Sequence, residues 1–157
     1  MTIDGALYHV GIVVPDLEAA QARLSALLGV TWGPVMDIEA VEFRDADGND
    51  LSLPNKLCYS TTAPHIELVE EVPGSVWECN EHSNLHHIGY WTDSLESDSA
   101  RLTESVCPLQ ICGRTGVHAP EMFSYHRDPL GVRIELVDAA LRPTMESFMF
   151  QPPANPG

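Results

Sequence analysis

The chain has 157 residues, of which 44% are hydrophobic and 20% are charged, an ordinary balance for a globular domain. Its 23 acidic residues oppose eight basic ones and give a net charge of −15, so we expect neither nucleic acid nor an anionic membrane as a partner. No apolar run approaches the ~18 residues of a membrane span, and no secretion signal is recognisable. The four cysteines lack CxxC spacing, and the sequence indicates a cytoplasmic protein that keeps them as thiols.

The first half of the chain predicts one strand, one helix and three further strands. A β-branched run over Leu7–Val14 predicts the first strand, which Pro15 ends. Asp16 is then positioned to cap a helix from about Leu17 to Leu28, and Gly29 ends it. The three strands that follow are predicted at residues 38–44, 51–59 and 65–71. Pro54 interrupts the middle one, which is typical of an edge or bulged strand.

The second half repeats this plan after a polar linker at residues 72–84. A strand is predicted at residues 85–92, a helix at about 95–105, and strands at 109–114, 123–127 and 132–137. We therefore predict an α+β fold built from two repeated βαβββ modules. Residues 1–138 form one domain in this prediction, with module one at about 5–72 and module two at about 85–138. Residues 139–157 are the C-terminal tail.

Two motifs occur once in each module. His9-Val10-Gly11 returns as His87-Ile88-Gly89, and Ile66-Glu67-Leu68 returns as Ile134-Glu135-Leu136. Side chains alternate between the two faces of a strand, and the aliphatic neighbours would pack on the helices. The four polar residues that then share the concave face are His9, Glu67, His87 and Glu135. The same register aligns His86 with Tyr8 on the helix-packing face, so we expect replacement of His86 to leave metal content nearly unchanged.

Two imidazoles and two carboxylates on one face suit a divalent metal ion. Zn, Ni, Co, Fe or Mn would accept such ligands, whereas the lack of thiolates argues against a closed structural zinc site. In an octahedral shell, four protein ligands leave two positions for water or a chelating substrate. The other interpretation is that the histidines are hydrogen-bonded core residues and the glutamates are solvated. Their repeat-equivalent positions favour the metal site.

Four stretches together resemble the vicinal oxygen chelate superfamily, which includes glyoxalase I, methylmalonyl-CoA epimerase, extradiol dioxygenases and bleomycin-type resistance proteins. They are Tyr8-His9-Val10-Gly11-Ile12-Val13-Val14-Pro15-Asp16-Leu17, His65-Ile66-Glu67-Leu68-Val69-Glu70, Leu85-His86-His87-Ile88-Gly89, and Asp128-Pro129-Leu130-Gly131-Val132-Arg133-Ile134-Glu135-Leu136. The resemblance implies that the paired βαβββ modules form a curled mixed sheet around a metal-binding cleft, with metal ligands at His9, Glu67, His87 and Glu135. This ligand set is similar to glyoxalase I, while the first and fifth strands look more like methylmalonyl-CoA epimerase, which commonly has Gln at the position of Glu67.

The resemblance implies a metal-dependent isomerase, epimerase or lyase. Such an enzyme would act through a metal-stabilised enolate of a small carbonyl compound, with Glu135 and Glu67 as the catalytic bases. One alternative is a small-molecule binding or antibiotic-resistance protein, although those relatives generally lack the metal residues. Another is an extradiol-type dioxygenase, although that class uses two His and one Glu.

The substrate and the assembly have weaker signals. Coenzyme A thioesters need cations, and the candidates are Lys56, Arg44, Arg114 and Arg127. An apolar or aromatic substrate would suit Trp32, Met36, Trp91, Met122, Phe123 and Tyr125. In the tail, Met145, Phe148 and Met149 share one face of a predicted short helix. Because family members commonly pair, we expect a homodimer with residues 145–150 packed on the partner or over the cleft mouth.

Overall fold

The order βαβββ occurs twice along the chain. The first set is β1 (Leu7–Val14), α1 (Leu17–Leu28), β2 (Met36–Asp45), β3 (Asp50–Tyr59) and β4 (His65–Glu70). The second set is β5 (Leu85–Thr92), α2 (Leu95–Glu104), β6 (Leu109–Thr115), β7 (His118–Arg127) and β8 (Arg133–Asp138). The computed structural model describes Ile3 and residues 7–153. The predicted start of module one at residues 5 and 6, and the end of the tail at 154–157, lie outside this part.

The strands close into a barrel in the order β1-β4-β3-β2-β6-β7-β8-β5. Strand β1 is parallel to β4 and β5 is parallel to β8, whereas the other neighbours are antiparallel. The two halves of the chain meet where β1 pairs with β5 and where β2 pairs with β6. The predicted α+β fold with a curled mixed sheet is confirmed, and the sheet curls far enough to close.

The helices pack on the aliphatic face of the sheet and leave the other face for the site. The Asp16 carboxylate accepts a hydrogen bond of 2.8 Å from the Ala19 N–H at the start of α1. Leu17 is fully buried and packs with Leu68 of β4, and Leu95 of α2 packs with Leu136 of β8 in the same way. Within the described part of the chain, no helix is long and apolar enough to cross a membrane.

Two irregularities change which face a residue occupies. The β1–β5 register shifts between Leu7 and His9, and Tyr8 stacks on Trp91 with ring centroids 3.9 Å apart. The prediction that Tyr8 packs on a helix is therefore wrong, because the bulge breaks the alternation. Strand β3 pairs on both sides, so it is not an edge, but its register with β2 shifts opposite Pro54. The bulged alternative is the one that the structure contains.

The tail packs on its own chain. It forms a 3-10 turn (Ala139–Leu141), an α-helical turn (Arg142–Thr144) and a π-helical turn (Met145–Met149). Met145 and Phe150 are buried against the aromatic rings of Tyr8, Tyr59 and Trp91, whereas Phe148 is 53% exposed. The prediction that Phe148 shares the apolar face of the tail with Met145 is therefore wrong. The wider π turn brings Phe150 inward in its place.

Candidate metal and substrate site

Each module supplies space for a histidine of the other. In the antiparallel β1–β5 pair, His9 lies opposite Gly89 and Gly11 lies opposite His87. A Cβ atom added to Gly11 would lie 1.9 Å from Cε1 of His87, and one added to Gly89 would lie 1.9 Å from Cε1 of His9. Only glycine at these two positions allows the imidazoles to cross the neighbouring strand. The repeat displays both glycines, but their role depends on pairing that the sequence does not specify.

Four adjacent strands bring the four predicted ligands together. In the barrel the neighbours β4, β1, β5 and β8 carry Glu67, His9, His87 and Glu135, all of which are buried. One ligand atom from each residue lies within 4.8 Å of the others. The shortest contacts between a histidine and a glutamate cross between modules: Nε2 of His9 lies 2.9 Å from Oε2 of Glu135, and Nε2 of His87 lies 2.9 Å from Oε2 of Glu67. The two Nε2 atoms are 2.8 Å apart.

These distances and the unsatisfied oxygens suit a divalent cation. Neither Oε2 atom of Glu67 or Glu135 has a hydrogen-bond partner among the described residues, although both atoms are buried. Burying such oxygens without a partner is costly, and a cation would compensate both. Neighbouring ligands held at ~2.1 Å from a metal in octahedral geometry lie roughly 3 Å apart, which is close to the contacts between these donors. Imidazole nitrogen and carboxylate oxygen are the donors that such a metal accepts.

The charges of the histidines and glutamates in this group affect one another. Burial opposes the charged form of His87, but the carboxylates of Glu135 and Glu67 raise its pKa to about 9. Burial likewise disfavours the Glu135 carboxylate, yet the imidazoles of His87 and His9 lower the pKa of that group below its usual value. The two carboxylates therefore favour any cation at this position, whether a proton on an imidazole or a metal ion.

Two further residues orient the ligands. The hydroxyl of Tyr59 donates to Oε1 of Glu67 at 2.5 Å, which leaves Oε2 directed at the histidines. Nδ1 of His86 lies 2.9 Å from Nδ1 of His87, and Nε2 of His86 lies 2.7 Å from the Val76 carbonyl oxygen. A carbonyl oxygen only accepts, so His86 donates from Nε2 and accepts from His87 at Nδ1. Burial lowers the pKa of His86 to about 3, in keeping with this neutral state.

The helix-facing position predicted for His86 is therefore wrong. Its ring is hydrogen-bonded to His87 and lies edge-on to Tyr125, with the ring centroids 5.5 Å apart. Sequence reasoning missed both orienting residues, because Tyr59 and His86 act through partners from other strands. The doubled histidine His86-His87 was the one local signal for such a contact.

A cavity of about 230 Å³ opens beside the two carboxylates. Its walls come from strands of both modules, the linker and the tail. The lining residues are Ile38, Val41, Phe43, Asn55, Leu57, Tyr59, Glu67, Val69, Trp77, Met122, Phe123, Tyr125, Glu135, Val137, Leu141, Thr144, Met145 and Met149. Trp77 lies in the predicted linker and was not among the apolar candidates from the sequence.

The predicted apolar candidates divide between this cavity and other places. Met122, Phe123 and Tyr125 line it. Trp32 packs beside α1, and Trp91 stacks on Tyr8, so the structure places neither in the cavity wall. Met36 in β2 is also outside the lining set.

The predicted cation candidates lie elsewhere. Lys56 contacts Glu18 at 3.0 Å and Glu70 at 3.1 Å, which fits the interpretation of a surface charge. Arg44 pairs with Asp50, and Arg114 pairs with Asp50 and Glu42. Arg127 borders a separate polar pocket together with Arg133. None of the four candidates lines the cavity beside the carboxylates.

Paired βαβββ units around two histidines and two glutamates define a two-module barrel of the α+β class with a candidate metal site. The chain belongs to the Glyoxalase/Bleomycin resistance protein/Dioxygenase superfamily, whose family profile matches residues 8–111.

Three similar proteins have methylmalonyl-CoA epimerase in their names. The chain is 29% identical over 139 residues to "Ethylmalonyl-CoA/methylmalonyl-CoA epimerase" of Cereibacter sphaeroides, covering 84% of this chain and 96% of the relative. The fold is similar to a variant of Streptomyces coelicolor methylmalonyl-CoA epimerase in complex with 2-nitronate-propionyl-CoA, with TM-score 0.57, 19% identity, and coverage of 84% of this chain and 92% of that one. Methylmalonyl-CoA epimerase from Mycobacterium tuberculosis gives TM-score 0.55, 21% identity, and coverage of 84% and 86%.

Proposed function

We propose that this chain is a divalent-metal-dependent epimerase or isomerase that removes a proton from the carbon next to a carbonyl group. The observation that carries the proposal is the buried group of two histidines and two glutamates beside a cavity of about 230 Å³. The name of the Cereibacter sphaeroides relative supports an epimerase. His9, Glu67, His87 and Glu135 are the proposed metal ligands.

The bound ion would stabilise the negative charge that develops on the carbonyl oxygen as the adjacent C–H bond loses its proton. His9 and His87 would bind through Nε2. In neutral His87, the form that binds a metal, the hydrogen bond to His86 places the one ring proton on Nδ1 and leaves Nε2 free. Glu67 and Glu135 complete the group and neutralise two positive charges. The apolar walls of the cavity exclude water, which strengthens each of these electrostatic contacts.

We assign proton transfer to Glu135 and Glu67. Both carboxylates line the cavity, and β4 and β8 flank the two histidine-bearing strands. Both Oε2 atoms lack a hydrogen bond among the described residues, but Oε1 of Glu67 is also held by the Tyr59 hydroxyl. Glu135 is therefore our choice for the base: its carboxylate would take the α-proton and, as the carboxylic acid, return it to the carbon, with Glu67 as the second candidate for this role.

The test is hydrogen exchange at the carbon next to the carbonyl. Metal-loaded protein is incubated in deuterated water with α-branched acyl thioesters, and loss of the α-hydrogen signal is followed by proton NMR. We expect exchange above the uncatalysed rate, and a decrease of ~10²-fold or more in Glu135→Gln. Glu39→Gln, at an exposed position of β2, is the matched control and should exchange normally. Turnover that retains the α-hydrogen or requires molecular oxygen would contradict enolate chemistry.

A further inference from the structure

We infer that the substrate is an uncharged, α-substituted carbonyl compound with an apolar substituent, rather than one with a free carboxylate. This inference rests on the proposed function and narrows its substrate class. It departs from the methylmalonyl-CoA in the names of the relatives, because a methylmalonyl group carries a carboxylate.

The cavity lining is the first argument. Aliphatic and aromatic side chains form most of its wall, including Val41, Leu57 and Val69. Apart from Glu67 and Glu135, its polar groups are neutral: Asn55, Thr144 and the hydroxyls of Tyr59 and Tyr125. No lysine or arginine occurs among the residues that line it. A substrate carboxylate would lose its water there and gain no cationic partner from the protein.

The positions of the basic residues are the second argument. Most of them already contact carboxylates outside the cavity: Lys56, Arg44, Arg101, Arg114 and Arg142. Arg127 and Arg133 border the separate polar pocket, and Arg23 lies on α1. These eight residues are all the lysine and arginine of the chain. A carboxylate in the cavity would therefore depend on the metal alone for positive charge.

Charge balance is the third argument. The carboxylates of Glu67 and Glu135 already compensate the two charges of a divalent ion. A third carboxylate would give the buried site a net negative charge before the reaction begins. The negative charge of the enolate would then develop beside it, which raises the free energy of the transition state. A neutral ketone oxygen in place of the carboxylate avoids this repulsion and suits the apolar wall.

A matched pair of substrates tests the inference. The two compounds are the N-acetylcysteamine thioesters of 2-methylacetoacetate and 2-methylmalonate. They are identical except that the first has a methyl ketone where the second has a carboxylate. We measure binding by calorimetry and α-hydrogen exchange by NMR with metal-loaded protein, after subtracting the uncatalysed rate. We expect the neutral ester to bind at least tenfold more tightly and to exchange with at least tenfold higher kcat/KM.

The outcomes separate this inference from the proposed function. Preferred binding and exchange of the malonyl ester would overturn the inference and leave the epimerase proposal standing. Preferred binding of the neutral ester without exchange of either would support the inference on selectivity and overturn the proposed chemistry. Equal binding of both esters, or binding of neither, would overturn the inference.

A charge-introduction variant gives a second measurement. Met149→Lys places a flexible cation at a half-buried position of the cavity wall, and it should shift the binding ratio toward the malonyl ester by tenfold or more. Leu28→Lys adds the same charge at the end of α1, where Leu28 is 68% exposed, and should leave the ratio unchanged. An equal shift in both variants would show that net charge alone sets the preference and would overturn the inference.

Discussion

The imidazole of His87 directs Nε2 at the other proposed ligands and forms a hydrogen bond to His86 through Nδ1. This contact fixes the ring orientation and the tautomer, as outer contacts of metal-binding histidines commonly do. His86→Ala should weaken metal affinity by ~10-fold or more, contrary to our expectation from the sequence that metal content is nearly unchanged. Titration against a chelating dye and the visible spectrum of the cobalt form measure the effect.

Two variants serve as controls for His86. His86→Asn keeps an acceptor facing His87, so its metal affinity should lie between those of wild type and the alanine variant. His82→Ala removes an exposed loop histidine and should bind metal normally. Unchanged affinity and spectrum in His86→Ala would show that the contact is structural only.

The variant Gly89→Ala tests whether the ring of His9 needs the open space at Gly89. In Gly89→Ala the new methyl group overlaps the ring of His9, which must move away from the other ligands. We expect at least a hundredfold loss of metal affinity in the same titration, since a displaced ligand removes both a donor and the geometry.

The control for Gly89 is Gly29→Ala. Gly29 has φ of 69° at the end of α1 and nothing near its Cβ position, so alanine there should cost about 1 kcal/mol of stability. Metal affinity should remain that of wild type. If both variants bind metal alike, the site tolerates the displaced ring.

At the scale of elements, the tail forms part of the cavity wall and packs on its own chain through Phe150. Phe150 is 6% exposed, stacks on His65 at a centroid distance of 3.8 Å and contacts Tyr59 edge-on. Phe150→Ala should lower the free energy of unfolding by about 3 kcal/mol, because it leaves a buried aromatic site unfilled. Phe148→Ala removes the same ring from an exposed position and should cost less than about 1 kcal/mol. Urea denaturation measures both, and equal losses would place the tail elsewhere in solution.

The sequence predicted the bounds of an element well where neighbouring residues alone specify that element. The bounds of β1, α1 and β5 agree with the prediction, because a β-branched run and a capped helix are specified by neighbouring residues. The four ligands also came together, since the repeat doubled the evidence for their shared face. The bulge at Tyr8 and the burial of Trp77 depend on contacts with residues distant in the sequence, and the outward position of Phe148 depends on the π turn of the tail. Sequence periodicity carries no information on such contacts.

For the whole molecule, metal binding and folding should be linked. The proposed ligands come from four strands of both modules, so the complete group exists only in the folded chain. An ion that binds this state stabilises it by about 2.7 kcal/mol at a free concentration of 100 Kd. We expect cobalt or zinc to raise Tm after treatment with a chelator, and the rise to shrink in Glu135→Gln.

Calcium is the control ion for this measurement, because it prefers oxygen ligands and should raise Tm little. An equal response to calcium and cobalt would contradict a site with two imidazole ligands. The homodimer stays a prediction: the tail covers its own chain, and one chain supplies all four proposed ligands.

The reciprocal packing of Gly11 with His87 and Gly89 with His9 also limits how the two halves can change over evolution. Repeated halves usually diverge freely, since each copy can lose what the other retains. Here a side chain gained at the glycine of one half displaces the histidine of the other half. A mutation at the glycine of one half thus changes the position of a histidine in the other half. The two halves must therefore change together.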